Sequence, residues 1–350
     1  MNLHFTANNR PMTRIAAVGL SLCILFSFLV VFTGCSRRQG VYTTSFLDTF
    51  DTVLTVTVGA DTREQATEWT TALHGIARDL HDQFSIYDSF STFNNLHTVN
   101  RLAGHDQPVK VSREIVELIT VGKDIYVLSD GAVNICMGNL LAEWRRAKEN
   151  SRVPAKEVVD VFLREQSSMD RLVIDEKNST VHITWGNMSV DVGAIAKGYV
   201  LAKMRQYAET EGITSLLVNF GGQVMAIGRH PDGNPWTVAI RDPRDGSELT
   251  RIQVEDAVVA TSADDQRTYT VDGVSYHHII DPATGYPARL YRSVTVILPL
   301  EHTTYSDGFS TALFIMNRED GQSLIDTYGG SALWLTAEGE VVEYNRPNSK

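Results

Sequence analysis

The run YHHIIDPATGYP, Tyr276 to Pro287, sets two adjacent histidines ahead of an Asp-Pro-Ala-Thr-Gly turn. Read as a strand over residues 276–280, it points His277 and His278 to opposite faces, because side chains alternate along a strand. The pair therefore cannot chelate one metal. One ring is left to face a pocket while the other faces core or solvent. The rest is turn chemistry: Asp281 can bond its own backbone, Pro282 presets φ, and Gly285 permits positive φ. Taken alone, the run reads as a well-made turn before it reads as part of a site.

Two other runs carry chemistry of the same double kind. In Ser306-Asp307-Gly308-Phe309-Ser310-Thr311, Asp307 and Thr311 stand four apart and share a face at the start of a helix. A carboxylate and a hydroxyl there suit Mg²⁺, which takes oxygen ligands and keeps positions for phosphate. The plainer reading, preferred for the pair by itself, is that Asp307 complements a helix dipole and Thr311 bonds back to a carbonyl. In Asp191-Val192-Gly193-Ala194-Ile195-Ala196-Lys197-Gly198-Tyr199, a strand end passes through small residues into a helix. Free N–H groups at the helix start and one Lys suit a phosphate. A capped helix with an exposed Lys is the plainer reading.

Around these runs the hydrophobic spacing alternates between two periods. Residues 53–58 alternate as a strand. Ala66, Trp69, Leu73, Ile76, Leu80 and Phe84 recur every three or four positions, which predicts a helix capped by Asp61 or Thr62. Further helices are expected over 112–129, 137–149, 154–166 and 194–211, with another opening near Ser306. A hairpin is expected over 172–184. Strands are expected over 215–220, 224–227, 236–240, 257–261, 276–280, 294–298 and 332–336. Helices and strands are partly segregated, so the expected class is α+β, with mixed or antiparallel sheets and packed helices.

The chain has 350 residues, of which 43% are hydrophobic, enough for a sizeable core in one large domain or two ordinary ones. Arg10 and Arg14 are the only Lys, Arg, Asp or Glu among the first 34 residues, so without that segment the formal charge goes from −11 to −13. An acidic chain with no basic stripe excludes a nucleic-acid partner, which needs clustered Lys and Arg. The two arginines precede an uncharged apolar run over 15–32, the pattern of a secretory signal, with a transmembrane anchor as the competitor. Phe32-Thr33-Gly34-Cys35 resembles a bacterial lipobox, with Phe in place of the usual Leu. The expected organisation is a signal peptide over 1–34, a lipidated Cys35 with its tether over 35–47, and one domain over 48–350. Cys136 would then be the lone remaining thiol, expected as a small buried hydrophobe.

Taken together, DVGAIAKGY, VNFGGQV, HHIIDPATGYP and SDGFSTA, in that order, resemble the ApbE-type FAD:protein FMN transferases. Phe50-Asp51-Thr52, Ser85-Ile86-Tyr87 and Asp130-Gly131-Ala132 extend the resemblance from about residue 48 to 335. The resemblance implies an ApbE-like flavin transferase fold. It implies Mg²⁺ on Asp307, Thr311 and the main-chain oxygen of Ala194. It implies FAD contacts at Phe50 (where the family usually has Met), Tyr87, Ala132, Val133, Asn134, Asp191, Lys197 and Ile280. His278, Asp307 and Lys197 become the expected catalytic groups. Three places depart from the pattern. Gly131-Ala132-Val133-Asn134 stands where GAFD is usual, Thr261-Ser262-Ala263 where TSG is usual, and Gly221-Gly222-Gln223 where GGD or GGN is common. The implied reaction moves FMN from FAD to a Ser or Thr hydroxyl of another protein and releases AMP. The expected partner is an acceptor flavoprotein of an extracytoplasmic electron-transfer system, met by an exported lipoprotein on the outer face of the cytoplasmic membrane. The alternatives are an Mg²⁺-dependent FAD pyrophosphatase and a membrane-tethered FAD-binding protein without turnover.

Overall fold

The computed structural model describes residues 39–165 and 168–345. The expected signal segment and Cys35 lie outside the described residues. Eight strands form one sheet, and they lie in it in chain order. They are β1 (Gly40–Thr49), β2 (Thr52–Ala60), β3 (Ser215–Phe220), β4 (Gln223–Gly228), β5 (Ala257–Ala263), β6 (Tyr291–Pro299), β7 (Ser331–Thr336) and β8 (Val341–Tyr344). Every neighbouring pair is antiparallel. Successive connections therefore alternate between the two ends of the sheet. The β1–β2 tip, the β3–β4 tip and the long β5–β6 connection share one end.

Six helices fill the β2–β3 connection: α1 (Arg63–Phe84), α2 (Leu96–Arg101), α3 (Arg113–Leu128), α4 (Gly138–Glu149), α5 (Lys156–Glu165) and α6 (Ala196–Thr210). The β6–β7 connection holds α7 (Ser306–Ile315) and α8 (Arg318–Thr327). The Thr62 side chain caps α1 by accepting the Gln65 N–H at 3.2 Å. The same helix buries Ala66, Trp69, Leu73, Ala77, Leu80 and Phe84. Strand parity separates the two faces of the sheet. Met225, Val258 and Ala260 join the main core. Val224, Ala226 and Val259 pack instead against a hairpin of Trp236–Arg241 and Glu248–Val254 on the other face. No helix among the described residues is long and apolar enough to cross a membrane.

The mixture of helices with antiparallel sheets is the expected α+β class. Two local expectations differ. Residues 40–47, expected as tether, belong to edge strand β1, and the compact unit begins at Gln39. An edge strand pairs on one side only, and most side chains of β1 are exposed, so the sequence shows no buried alternation there. The strand expected over 276–280 stops at Tyr276. Val274–Tyr276 pairs with Tyr269–Val271 through an Asp272-Gly273 turn whose φ values of 50° and 79° match a tight hairpin. Helix α8, strand β8 and Glu248–Val254 had no expectation.

Candidate active site

The first turns of α6 and α7 meet at Asp307. Lys197 Nζ donates to both carboxylate oxygens, at 3.0 and 3.1 Å, and the Lys197 main-chain N–H donates to Oδ2 at 3.1 Å. Asp307 is 7% exposed. The approach depends on Gly198. A Cβ there would sit 2.9 Å from the Thr304 carbonyl oxygen and 3.3 Å from Asp307 Cβ. Each helix start leaves N–H groups without intrahelical partners and carries the positive end of its dipole. Two such ends and one ammonium make this corner suited to an anionic group such as a diphosphate.

Hydroxyl and amide oxygens line the same corner. Thr311 Oγ1 lies 3.3 Å from both the Asp307 carbonyl oxygen and Ser262 Oγ. Ser262 Oγ is 2.9 Å from Ser310 Oγ. Gln223 Nε2 donates to Ser306 Oγ at 2.5 Å, while its buried Oε1 has no hydrogen-bond partner among the described residues. Hard oxygens of this kind fit Mg²⁺, and the donor set lacks the His and Cys that zinc prefers. Asp307 and Thr311 are thus chemically suited to the metal, once Lys197 yields the carboxylate.

The two histidines do face apart, for a reason other than strand parity, because residues 277–279 are irregular backbone. His277 is buried. Its Nε2 bonds the Ala288 carbonyl at 2.8 Å, and its Nδ1 accepts the Ile279 N–H at 3.2 Å. Burial pushes its pKa down to about 4. His278 is exposed, and its Nδ1 lies 3.0 Å from the Gln266 carbonyl. A carbonyl only accepts, so Nδ1 carries the proton and Nε2 keeps a lone pair. Desolvation by the surrounding protein lowers the His278 pKa to about 4, and the cations of Arg267 and Lys197 push the same way. At pH 7 the imidazole is therefore neutral, with Nε2 free to take a proton. The turn behind it is clamped. Asp281 Oδ1 accepts the Ala283 N–H at 2.8 Å, and Trp144 Nε1 donates to the Gly285 carbonyl at 2.9 Å.

Of the expected flavin contacts, Tyr87, Asp191 and the Ala132–Asn134 loop gather along the helical side. A short parallel bridge, Met137 to Ser189, and an Asp191 N–H bond to the Ile135 carbonyl draw the Ala132–Asn134 loop toward Asp191. Asp191 Oδ2 pairs with Arg145 at 2.9 Å, and the Arg145 guanidinium lies 5.6 Å from the centre of the exposed Tyr87 ring. Tyr87 and Arg145 border an open cleft of about 500 Å³ that Asn139 and Arg101 also line. Arg145 has no expectation from the sequence, since its partner lies 46 residues away. Val133 and Ile280 are buried, at 3% and 5% exposure, and their side chains pack in apolar clusters. Phe50 occupies a left-handed conformation (φ 53°), costly for a bulky residue. Its N–H bonds His81 Nδ1 at 3.1 Å, and its ring packs edge-on against Phe220. Cys136 is buried, and desolvation raises its thiol to about 12, which removes it from chemistry.

The family model described as the ApbE family matches residues 50–334. A FAD:protein FMN transferase of Klebsiella pneumoniae (strain 342) is 31% identical over 251 residues, covering 70% of this chain and 75% of that protein. Another, of Treponema pallidum (strain Nichols), is 29% identical over 295 residues, covering 80% of this chain and 81% of that protein. Among solved structures, the ApbE protein of Thermotoga maritima MSB8 superposes with a TM-score of 0.78 at 30% identity, over 87% of this chain and 97% of that one. The match runs from the strained Phe50 tip to β7 and takes in Asp191–Tyr199, Tyr276–Pro287 and Ser306–Thr311: this chain belongs to the ApbE family.

Proposed function

We propose that the chain is an FAD:protein FMN transferase that moves FMN from FAD to a Ser or Thr hydroxyl of an acceptor flavoprotein and releases AMP. The observation that carries this reading is the Asp307–Lys197 node at two helix starts, with a neutral histidine near enough to Lys197 to feel its charge. The names of the relatives support it. In this reaction the acceptor oxygen bonds to the FMN-side phosphorus, the bond from that phosphorus to AMP breaks, and the hydroxyl proton passes to His278 Nε2. AMP leaves as a phosphate anion and needs no proton. The helix starts and Lys197 stabilise charge on the phosphoryl oxygens, as positioning and electrostatics do in other phosphoryl transfers. Asp307, Thr311 and the Ala194 carbonyl would hold Mg²⁺, which supplies charge neutralisation at the diphosphate. Tyr87 and Phe50 offer aromatic faces to flavin or adenine.

The test is incubation with FAD, Mg²⁺ and a candidate FMN-binding domain. A flavin mass on the acceptor with AMP release supports transfer. AMP with free FMN alone would make the enzyme a pyrophosphatase, and no AMP would make it a binder. The same reading puts the domain outside the cytoplasm, anchored by lipid on Cys35 near its electron-transfer acceptor. A Cys35→Ala protein should then leave the membrane fraction, and retention there would argue for an uncleaved apolar anchor.

A further inference from the structure

We infer that two ion pairs, Asp264–Arg292 and Asp265–Arg241, are positioning elements for His278, acting through the Gln266 main chain. This inference rests on the reading of His278 as the base. The Gln266 carbonyl fixes the His278 tautomer, so whatever holds residue 266 sets the direction of the Nε2 lone pair. Residues 264–267 follow directly on β5 and are clamped from two sides. Arg292 Nε donates to Asp264 Oδ2 at 3.2 Å, and the Asp264 N–H donates to the Arg292 carbonyl at 2.8 Å. Arg241 Nη1 lies 2.6 Å from Asp265 Oδ2.

Both arginines sit at register shifts. The β6–β7 pairing slips between Tyr291 and Ser293, leaving Arg292 as the extra residue. The outer hairpin slips between Ile240 and Arg241. Bulges bend a strand and re-aim the side chain they carry, at a cost to the ladder. Arg292 is the bulged residue itself, while in the outer hairpin the extra residue is Leu249, on the strand opposite Arg241; the two arginines reach adjacent aspartates of one loop. The loop itself is strained, since Arg267 holds a φ of 52°. Strain of that kind persists only where the surroundings over-determine it. The other charged or titratable groups acting on the His278 ring are Arg267, His277 and Lys197. None of these belongs to the two ion pairs.

The test uses the full-length chain carrying Arg292→Gln or Asp265→Asn, with Arg292→Lys as the conservative control. The expected result is a fall in kcat of roughly tenfold for either variant, a fraction of what a general base supplies. The Kd for FAD should be unchanged, the acid limb of the pH profile should move up toward the ordinary histidine value, and Arg292→Lys should recover part of kcat. ¹⁵N-histidine spectra, with His278 assigned by its loss in His278→Ala, should show the Nδ1–H tautomer giving way to a mixture. In the His278→Ala background, Arg292→Gln should cost nothing further, because coupled groups are non-additive. Additive losses, or an unmoved tautomer signal in a folded Asp265→Asn protein, would overturn the inference. Should His278→Ala itself keep full activity, the base reading fails, and the tautomer measurement still decides whether the pairs orient the ring.

Discussion

Two lysines on α6 invite comparison. Lys197 and Lys203 have equally exposed side chains, at 25%, and each pairs with a carboxylate from another helix. Lys203 Nζ bonds Glu117 Oε2 at 2.7 Å, and the same oxygen accepts the Tyr199 hydroxyl at 2.6 Å. Arg113 takes the other Glu117 oxygen at 2.7 Å. Donors from the protein itself, Lys203, Tyr199 and Arg113, take up both oxygens of that carboxylate. Lys197 meets its acid where two helix dipoles end and where hydroxyls and an orphan amide oxygen wait beside it. An ion pair becomes a candidate for chemistry through what surrounds it; the pair by itself is only packing.

The sharpest way to break the comparison is at the acids. Asp307→Ala should lower flavin transfer by roughly 10³-fold, since it removes both the carboxylate proposed for the metal and the partner of Lys197. In-gel flavin fluorescence of the acceptor reads this directly, and transfer at the wild-type level would end the proposed role. His278→Ala comes next, with a loss on the order of 10²-fold in kcat. In the wild type, the neutral imidazole persists above its lowered pKa. Activity should therefore hold as pH falls through the ordinary histidine value and decline only toward about 4. A decline centred on the ordinary value would show that the ring is not desolvated.

The lysines themselves should separate more modestly. Lys197→Met is expected to raise the KM for FAD about tenfold, the scale of a lost charge-assisted hydrogen bond. Lys203→Met should leave KM and kcat within about twofold and change stability by no more than about 1 kcal/mol. Equal effects on KM would erase the distinction drawn above. The smallest effect concerns Glu117. Burial raises its pKa, but the hydrogen bonds from Lys203 and Tyr199 outweigh burial, and the net shift is downward. A depressed carboxyl contributes stability that is present above its unfolded value and lost as pH falls through the folded one. Thermal melts of Glu117→Gln should approach those of the wild type as pH drops below the ordinary glutamate range, and a gap that widens in acid would contradict this.

Much of this was legible in the sequence, and what was not has physical causes. The buried face of α1 and the cap at Thr62 follow from local spacing and one hydroxyl. The opposite facing of His277 and His278 was anticipated, yet the strand behind that expectation ends at Tyr276. Separate carbonyls, of Ala288 and Gln266, hold the two rings apart. Asp307 and Thr311 sit where helix spacing puts them. Lys197 and Asp307, however, are 110 residues apart, and no local pattern announces that their helix starts converge. Arg145 was invisible for the same reason. Strand β1 was missed because an exposed edge hides the alternation that marks a buried strand.

The chain-order sheet also sets an itinerary for folding. Strands β3 to β8 can pair by closing segments of a few dozen residues each, while β2 meets β3 only after everything from Asp61 to Thr214 has been gathered in. Closing long loops is entropically slow and is rewarded last. The β1–β2 ribbon should therefore dock onto a sheet already assembled from its C-terminal side. In pulse-labelling hydrogen exchange, the amides of Leu54 to Val58 should gain protection after those of Val294 to Leu298. The Phe50 tip rides on that ribbon, so the strained corner of the site would be among the last parts of the molecule to take shape.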